Sequence, residues 1–219
     1  MGMFSRKIIV YIGSAACFAG CTGDFLSLFI LGREYPGYSQ LSDTMSSLGA
    51  SSSPVSGIIS AWWIILGFLM IIFACGFRAA YSPGDKNAKI AFWLIVLYGL
   101  GEGMGSGLFK ADRVAGSYTT SFIVHDILGG AGVTAILVLP LFVQKIKPIF
   151  SSTGFIIFSR ITLILGTLFL ILFTFRFIGN AENIITRNEG LWQRLFVLVY
   201  YIYIIAIALK MVSGYRRSI

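Results

Sequence analysis

The chain has 219 residues, 57% of them hydrophobic and only 12% charged, with a mean hydropathy of +0.85. A soluble domain carries about 25% charged residues, so this chain lacks the polar side chains to cover a water-facing surface. The net charge of +8 does not argue for nucleic acid, because the basic residues sit at the ends of apolar runs, where they orient a membrane protein.

Several apolar runs reach the roughly 20 residues that a helix needs to cross a bilayer, and strand-like alternation is absent. Spans are expected at about 8–31, 55–77, 90–109, 122–143, 155–177 and 191–212. The expectation is an all-α, polytopic integral membrane protein, one domain over residues 1–219, built as a six-transmembrane-helix bundle. The first run follows Arg6 and Lys7 and could be a cleaved leader, since Phe18-Ala19-Gly20-Cys21 looks like a lipoprotein cleavage box. Apolar sequence resumes from Phe25 to Leu31, so the run reads as a first span.

Between the first two spans lies the longest weakly apolar stretch, the outer loop at 32–54, with R-E-Y-P-G-Y-S-Q-L-S-D-T-M-S-S-L-G-A-S-S-S-P from Arg33 to Pro54. Held over membrane helices, such a loop is a candidate lid or site wall. Tyr35-Pro36-Gly37-Tyr38 reads as a turn with two aromatics at headgroup level, suited to anchoring or to stacking on an amphiphile. Asp43 is expected to N-cap a short helix over Thr44 to Leu48.

The second span contains Trp62 and Trp63, too deep for an interfacial belt and expected to face neighbouring helices. The third ends in G-L-G-E-G-M-G-S-G. There Gly99, Gly103 and Gly107 form a small-xxx-small face that allows close helix approach. So many glycines could also let the helix unwind around Glu102, which is tolerated only against protein or a cavity. No βαβ unit surrounds them, so a dinucleotide site is excluded. The fourth span opens with His125 and Asp126, the fifth carries Arg160 and Arg176 near its ends, and the sixth has Gln193 and Arg194 in its first turn. Cys17, Cys21 and Cys75 fall inside apolar runs and read as small buried hydrophobes. One histidine and no C-x-x-C leave no zinc pattern, and neither a metal nor a cofactor is expected.

Charge sets the expected topology. Arg6, Lys7, Arg78, Lys86, Lys89, Lys145, Lys147, Arg160, Lys210, Arg216 and Arg217 fall on one side, and the remaining six basic residues on the other. The richer side is read as cytoplasmic, which places both the N- and C-termini in the cytoplasm. The acids Asp24, Glu34, Asp43, Glu102, Asp112, Asp126, Glu182 and Glu189 gather on the opposite, outer side.

The outer ends of the spans therefore collect nearly every acid and the only histidine. A charge at membrane depth costs at least about 2.5–3.5 kcal/mol. Such residues persist where they line a cavity or pair with one another, so the cluster is either a pocket or a structural clamp. His125 and Asp126 are adjacent and point about 100° apart on a helix, so they are not a mutual pair. His125 is the candidate general base, oriented by a carboxylate from another span such as Asp24, Asp112 or Glu102. Catalytic candidates are His125, Asp112 and Asp126; ligand-binding candidates are Asp24, Tyr38, Asp43, Glu102, Arg176 and Arg194.

The sequence also carries a resemblance. The loop motif Y-P-G-Y-S-Q-L-S-D-T-M-S-S-L-G-A-S-S-S-P resembles the first outer loop of the bacterial and archaeal six-span family catalogued as domain of unknown function 998. Gly107-Leu108-Phe109-Lys110-Ala111-Asp112 followed by His125, and Glu189-Gly190-Leu191-Trp192-Gln193-Arg194, resemble two further motifs of that family. Lys110 stands where the family pattern has proline. The loop is distantly like that of the Frag/DRAM/Sfk group. The resemblance implies the six-span fold and a bacterial or archaeal cytoplasmic membrane, the inner membrane where two exist, and it assigns no chemistry.

The functional expectation is an integral membrane protein that binds a lipid or other amphiphile in a polar cup at the outer face, with lipid modification if His125 is a base. Membrane lipids are the expected partners and nucleic acid is not. The alternatives are a non-enzymatic sensor or helper subunit and, third, a small transporter, for which a homodimer stays open.

Overall fold

The computed structural model describes residues 3–81, 84–114, 117–147, 150, 152–178 and 183–216. Glu182 and Arg217, placed above by charge, lie outside the described residues. Six helices are long and apolar enough to cross a membrane: α1 (Met3–Arg33), α2 (Ser56–Ala80), α3 (Lys86–Leu108), α4 (Thr120–Val143), α5 (Thr153–Phe177) and α6 (Glu189–Arg216). Their dominance has a simple cause: a backbone in hydrocarbon must satisfy its own hydrogen bonds, and a helix does so within one segment.

Each helix packs on its sequence neighbours, and α6 returns against α1, so the six close into a ring. Apart from the long loop between α1 and α2, the connections are short, which leaves consecutive helices little choice but to be antiparallel neighbours. The helix starts are conventional: Asp85, Thr119 and Ser152 cap α3, α4 and α5 through side-chain oxygens that accept from Ala88, Phe122 and Phe155 N–H groups. One half of the ring is filled by apolar side chains, among them Met70, Phe73, Phe77, Leu139, Tyr203 and Ile207, all essentially inaccessible. Cys17 and Cys21 belong to this core, but Cys75 is exposed, which corrects its reading as a buried hydrophobe.

Glycines set the closest helix approaches. A Cβ on Gly13 of α1 would lie 2.6 Å from the Gly76 Cα of α2. In α3 the glycine run from Gly99 to Gly105 winds as a π-helix between α-helical Lys86–Tyr98 and Ser106–Leu108. The helix does loosen around Glu102, and it stays helical. Gly99, Gly103 and Gly107 lie against Gly67 and Ser60 of α2, while Gly101 and Gly105 lie against Leu128 and Gly132 of α4. Side chains on either row would push α3 off a neighbour.

The outer loop is ordered by turns. Gly37 has φ of 81°, a left-handed conformation that suits glycine, and it closes the Tyr35–Tyr38 turn with a Tyr38 N–H to Tyr35 carbonyl bond of 3.1 Å. A 3₁₀ turn, Met45–Gly49, follows. Its N-cap residue is Thr44, with no side-chain cap bond, and the Asp43 carboxylate accepts instead from the Ser39 N–H at 2.7 Å. The expected Asp43 cap is thus corrected: the chain turns back on itself before the 3₁₀ turn begins. A two-residue antiparallel ladder, β1 (Arg113–Val114) with β2 (Ser117–Tyr118), forms the α3–α4 connection. The peptide before it is pinned by Ser121, whose hydroxyl accepts from Lys110 N–H at 2.7 Å and donates to the Lys110 carbonyl at 3.0 Å. Lys110 Nζ also donates to the Ser56 and Ser60 hydroxyls, both at 2.7 Å, tying the end of α3 to the start of α2.

Candidate functional site

The half of the ring on the side of the 32–54 loop is not filled. It holds a cavity of about 220 Å³ walled by all six helices: Asp24 of α1, Trp63 and Leu66 of α2, Tyr98, Glu102 and Ser106 of α3, His125, Asp126 and Gly129 of α4, Phe173, Arg176 and Phe177 of α5, and Gln193, Val197 and Tyr201 of α6. Met45 and Ser46 of the outer loop also line it. Asp24 precedes the end of α1 at Arg33 by nine residues, about 14 Å of helix. The floor therefore lies well inside the first of the six apolar spans.

The floor is a hydrogen-bonded carboxylate. Asp24 is 1% exposed. Its Oδ1 accepts from the Trp62 indole N–H at 3.1 Å and its Oδ2 from the Tyr201 hydroxyl at 2.8 Å. The Tyr98 hydroxyl donates to Tyr201 at 3.4 Å, extending the chain to α3. The deep Trp62 is accounted for here, and Trp63 packs under Gly49 of the loop. Above this floor, Ser106 donates to Glu102 Oε2 at 3.2 Å.

His125 is buried, and its Nδ1 lies 2.9 Å from the Phe109 carbonyl oxygen. A carbonyl only accepts, so Nδ1 carries the hydrogen and Nε2 is the basic nitrogen of the neutral ring. This corrects the expected carboxylate orienter: the ring is held by the backbone at the end of α3. Arg176 lies at the α5 end with its guanidinium 4.0 Å and 4.5 Å above the Phe173 and Phe177 rings.

Two candidates stand elsewhere. Asp112 does not line the cavity. Its Oδ1 accepts from the Ser51 N–H at 2.7 Å and its Oδ2 from the Ser51 hydroxyl at 2.6 Å, and these bonds hold its carboxyl below the usual aspartate range. Arg194 does not line the cavity either. Its Nε donates to Gln40 Oε1 at 2.7 Å, its Nη1 to the Asp43 and Gly190 carbonyls at 2.9 and 2.8 Å, and its Nη2 to the Tyr38 hydroxyl. These bonds tie the outer loop to the start of α6. Gln193 adds a second tie by accepting from Met45 N–H at 2.7 Å.

Tyr38 and Asp43 line a second cavity of about 390 Å³ outside the first, with Tyr35, Thr44, Ser46, Ser47, Ser52, Phe122 and Glu189. Burial pushes the Tyr38 phenol up, against the pull of Arg194. Ser46 is common to both cavities, so the 3₁₀ turn is the partition between them. The structure thus brings together Asp24, Glu102, His125, Asp126 and Arg176, sets Tyr38 and Asp43 apart, and takes Asp112 and Arg194 out. Tyr98, Tyr201 and Ser106 escaped the sequence reading, although a hydroxyl in mid-span is the signal that could have found them. Among the described residues no three His, Cys, Asp or Glu side chains are placed to hold a metal ion.

A family model matches residues 18–210, from the middle of α1 to the last turns of α6. The chain belongs to that family, described as protein of unknown function (DUF998). In this member the matched region contains every residue of both cavities. No curated protein and no solved structure matches the chain.

Proposed function

We propose that the protein binds a lipid or other amphiphile in the inner cavity, with the polar end against Glu102, His125, Asp126 and Arg176 and the apolar part along Leu66, Val133, Leu170 and Val197. One observation carries this reading: ionisable side chains from α1, α3, α4 and α5 converge on one space at membrane depth. Placing a charge there costs about 2.5–3.5 kcal/mol, and a polar cavity lowers that cost. Where the bound lipid is modified, His125 Nε2 would take the proton and Arg176 would hold a phosphate or carboxylate. We further propose that the cavity opens on the outer face of a cytoplasmic membrane, with both termini inside, from the basic excess at the opposite ends of the helices.

A second reading, a non-enzymatic helper subunit, draws on Asp24 and Arg194. Both oxygens of the Asp24 carboxylate and every nitrogen of the Arg194 guanidinium are hydrogen-bonded to protein partners. That is the arrangement of a structural clamp.

Lipid extracts separate these readings. They would be taken from cells lacking the protein and from cells expressing wild type, His125→Ala or Gly129→Leu at matched level, alongside the lipids that co-purify with each protein. Gly129 lines the cavity and a Cβ there meets nothing closer than Glu102 Oε2 at 3.7 Å, so leucine would fill the space. A lipid retained by wild type and lost from Gly129→Leu is the expected result. A cellular lipid altered by wild type and not by His125→Ala would add catalysis. No retained lipid on the wild type would sink the amphiphile reading and leave the helper.

A further inference from the structure

The inner cavity has a mouth, and the mouth is on one side of the ring. Among the described residues that line the cavity, the exposed ones are Gly130 of α4 and Thr174 and Phe177 of α5. Every lining residue from α1, α2, α3, α6 and the 32–54 loop is buried or half-buried. The cavity therefore meets the surroundings between α4 and α5.

Those surroundings are hydrocarbon. Gly130 and Thr174 lie within apolar spans. At 3.6 residues per turn, Gly130 falls on the exposed stripe of Ile123, Ile127 and Thr134, and Thr174 continues the exposed stripe of Ile164, Thr167 and Ile171. The hydroxyls on these stripes are satisfied at home, as hydrocarbon demands: Thr174 donates to the Ile171 carbonyl at 2.8 Å and Thr134 to the Gly130 carbonyl at 2.7 Å. The helix packing is open here as well. A Cβ on Gly130 would meet nothing within 4 Å, whereas one on Gly101 or Gly103 would run into α4 or α2.

Volume sets what can enter. About 220 Å³ is below the roughly 300–1,000 Å³ of small-molecule sites, enough for a headgroup and not for long chains. A chain has no way on through the bundle, because Met70, Phe73, Leu139 and Ile207 fill the other half of the ring. It does have apolar walls towards the mouth, Val133 of α4 and Leu170 of α5.

We propose that the inner cavity takes the headgroup of a lipid directly from the surrounding bilayer, admitted sideways between α4 and α5, while the acyl chains stay in the bilayer. This rests on the amphiphile reading and narrows it, from any amphiphile to a lipid already resident in the membrane. Gly130 is the threshold, since a side chain there would stand in the mouth.

Two measurements on the full chain in nanodiscs of phosphatidylethanolamine and phosphatidylglycerol test this. The first places a nitroxide on Gly130→Cys in a Cys75→Ser background, Cys75 being the exposed native thiol. Ile127→Cys and Ser52→Cys, exposed on the span and on the loop, are the hydrocarbon and water references. Relaxation at Gly130→Cys should respond to oxygen and not to a water-soluble nickel chelate, as at Ile127→Cys; the Ser52→Cys pattern would overturn the proposal. The second counts lipids retained on transfer to detergent, by native mass spectrometry. Displacing about two chain methylenes from the mouth is roughly a tenfold effect, so Gly130→Trp should retain about tenfold less lipid than wild type. Thr134→Trp, on the same stripe but outside the cavity lining, should match wild type. Thermal midpoints show which variants fold, and the nitroxide result decides if Gly130→Trp does not. Lipid lost from Gly129→Leu yet kept by Gly130→Trp overturns sideways admission and leaves the amphiphile reading standing. Water-soluble dihexanoyl phosphatidylethanolamine displacing the retained lipid equally well from wild type and Gly130→Trp would show entry from water, with the same consequence. No retained lipid on wild type sinks both.

Discussion

Replacing Arg194 by alanine should release the outer loop while leaving the bundle intact. Three donors of this side chain reach the loop, to Gln40 Oε1 at 2.7 Å, to the Asp43 carbonyl at 2.9 Å and to the Tyr38 hydroxyl. Charge-assisted bonds contribute about 1.5–3 kcal/mol each. Their simple sum overstates the loss, because Gln40 and Tyr38 are half-buried and water replaces part of what alanine removes. Two ties also remain, Met45 N–H to Gln193 Oε1 at 2.7 Å and Leu191 N–H to the Leu41 carbonyl at 2.9 Å. A net loss of about 2–4 kcal/mol in the local opening free energy follows. Hydrogen exchange by mass spectrometry in nanodiscs reads this directly. Peptides covering 38–49 should exchange about 30- to 1,000-fold faster, while peptides covering 70–77 in the core of α2 keep their rate. Arg194→Lys should fall between, since an ammonium keeps the charge but loses the fork that reaches three acceptors at once. Unchanged exchange over 38–49 would refute the latch. A uniform rise across all six helices would show that Arg194 holds the bundle together and not the loop.

Gly103→Leu should lower the thermal midpoint and the folded yield, because its Cβ would sit 2.6 Å from the Gly67 backbone nitrogen and overpacking costs about 1–3 kcal/mol or more. Gly57→Ala is the control: nothing lies within 4 Å of the added Cβ, and circular dichroism melts should show no loss. Asp112 supplies a pH dependence. Its folded pKa lies below the ordinary aspartate value, so its stabilising bond to Ser51 is present above that value and is lost as pH falls through the lowered one. The Ser51 amide resonance should titrate with a midpoint below the ordinary aspartate value, and in Asp112→Asn it should stay flat through the same range.

The six helices are legible in the sequence because the bilayer imposes a local rule. About 20 apolar residues in a row either span as a helix or leave backbone groups unsatisfied in hydrocarbon, and that rule needs no knowledge of neighbouring segments. The gathering of Asp24, Glu102, His125, Asp126 and Arg176 at one end of the ring follows from the same spans, since their depth is counted along each helix. The loosening of α3 around Glu102 was also readable, from alternate glycines that offer the backbone no side-chain support.

What each side chain does at that depth was decided by rotation about the helix axes and by the path of the loop, neither of which a linear pattern contains. Arg194 and Gln193 are consecutive in the first turn of α6, yet Gln193 borders the inner cavity while Arg194 turns to Tyr38, Gln40 and Asp43. Asp112 and His125 flank one short hairpin, yet Asp112 reaches Ser51 and His125 turns to Phe109. Cys75 faces out where Cys17 and Cys21 face in. Depth is a property of sequence position, whereas partnership depends on which faces meet when the ring closes. For that reason the sequence by itself determined a six-helix membrane protein with nearly all its acids at one end, and only the tertiary structure decided which of those residues share a cavity and which hold the loop beside it.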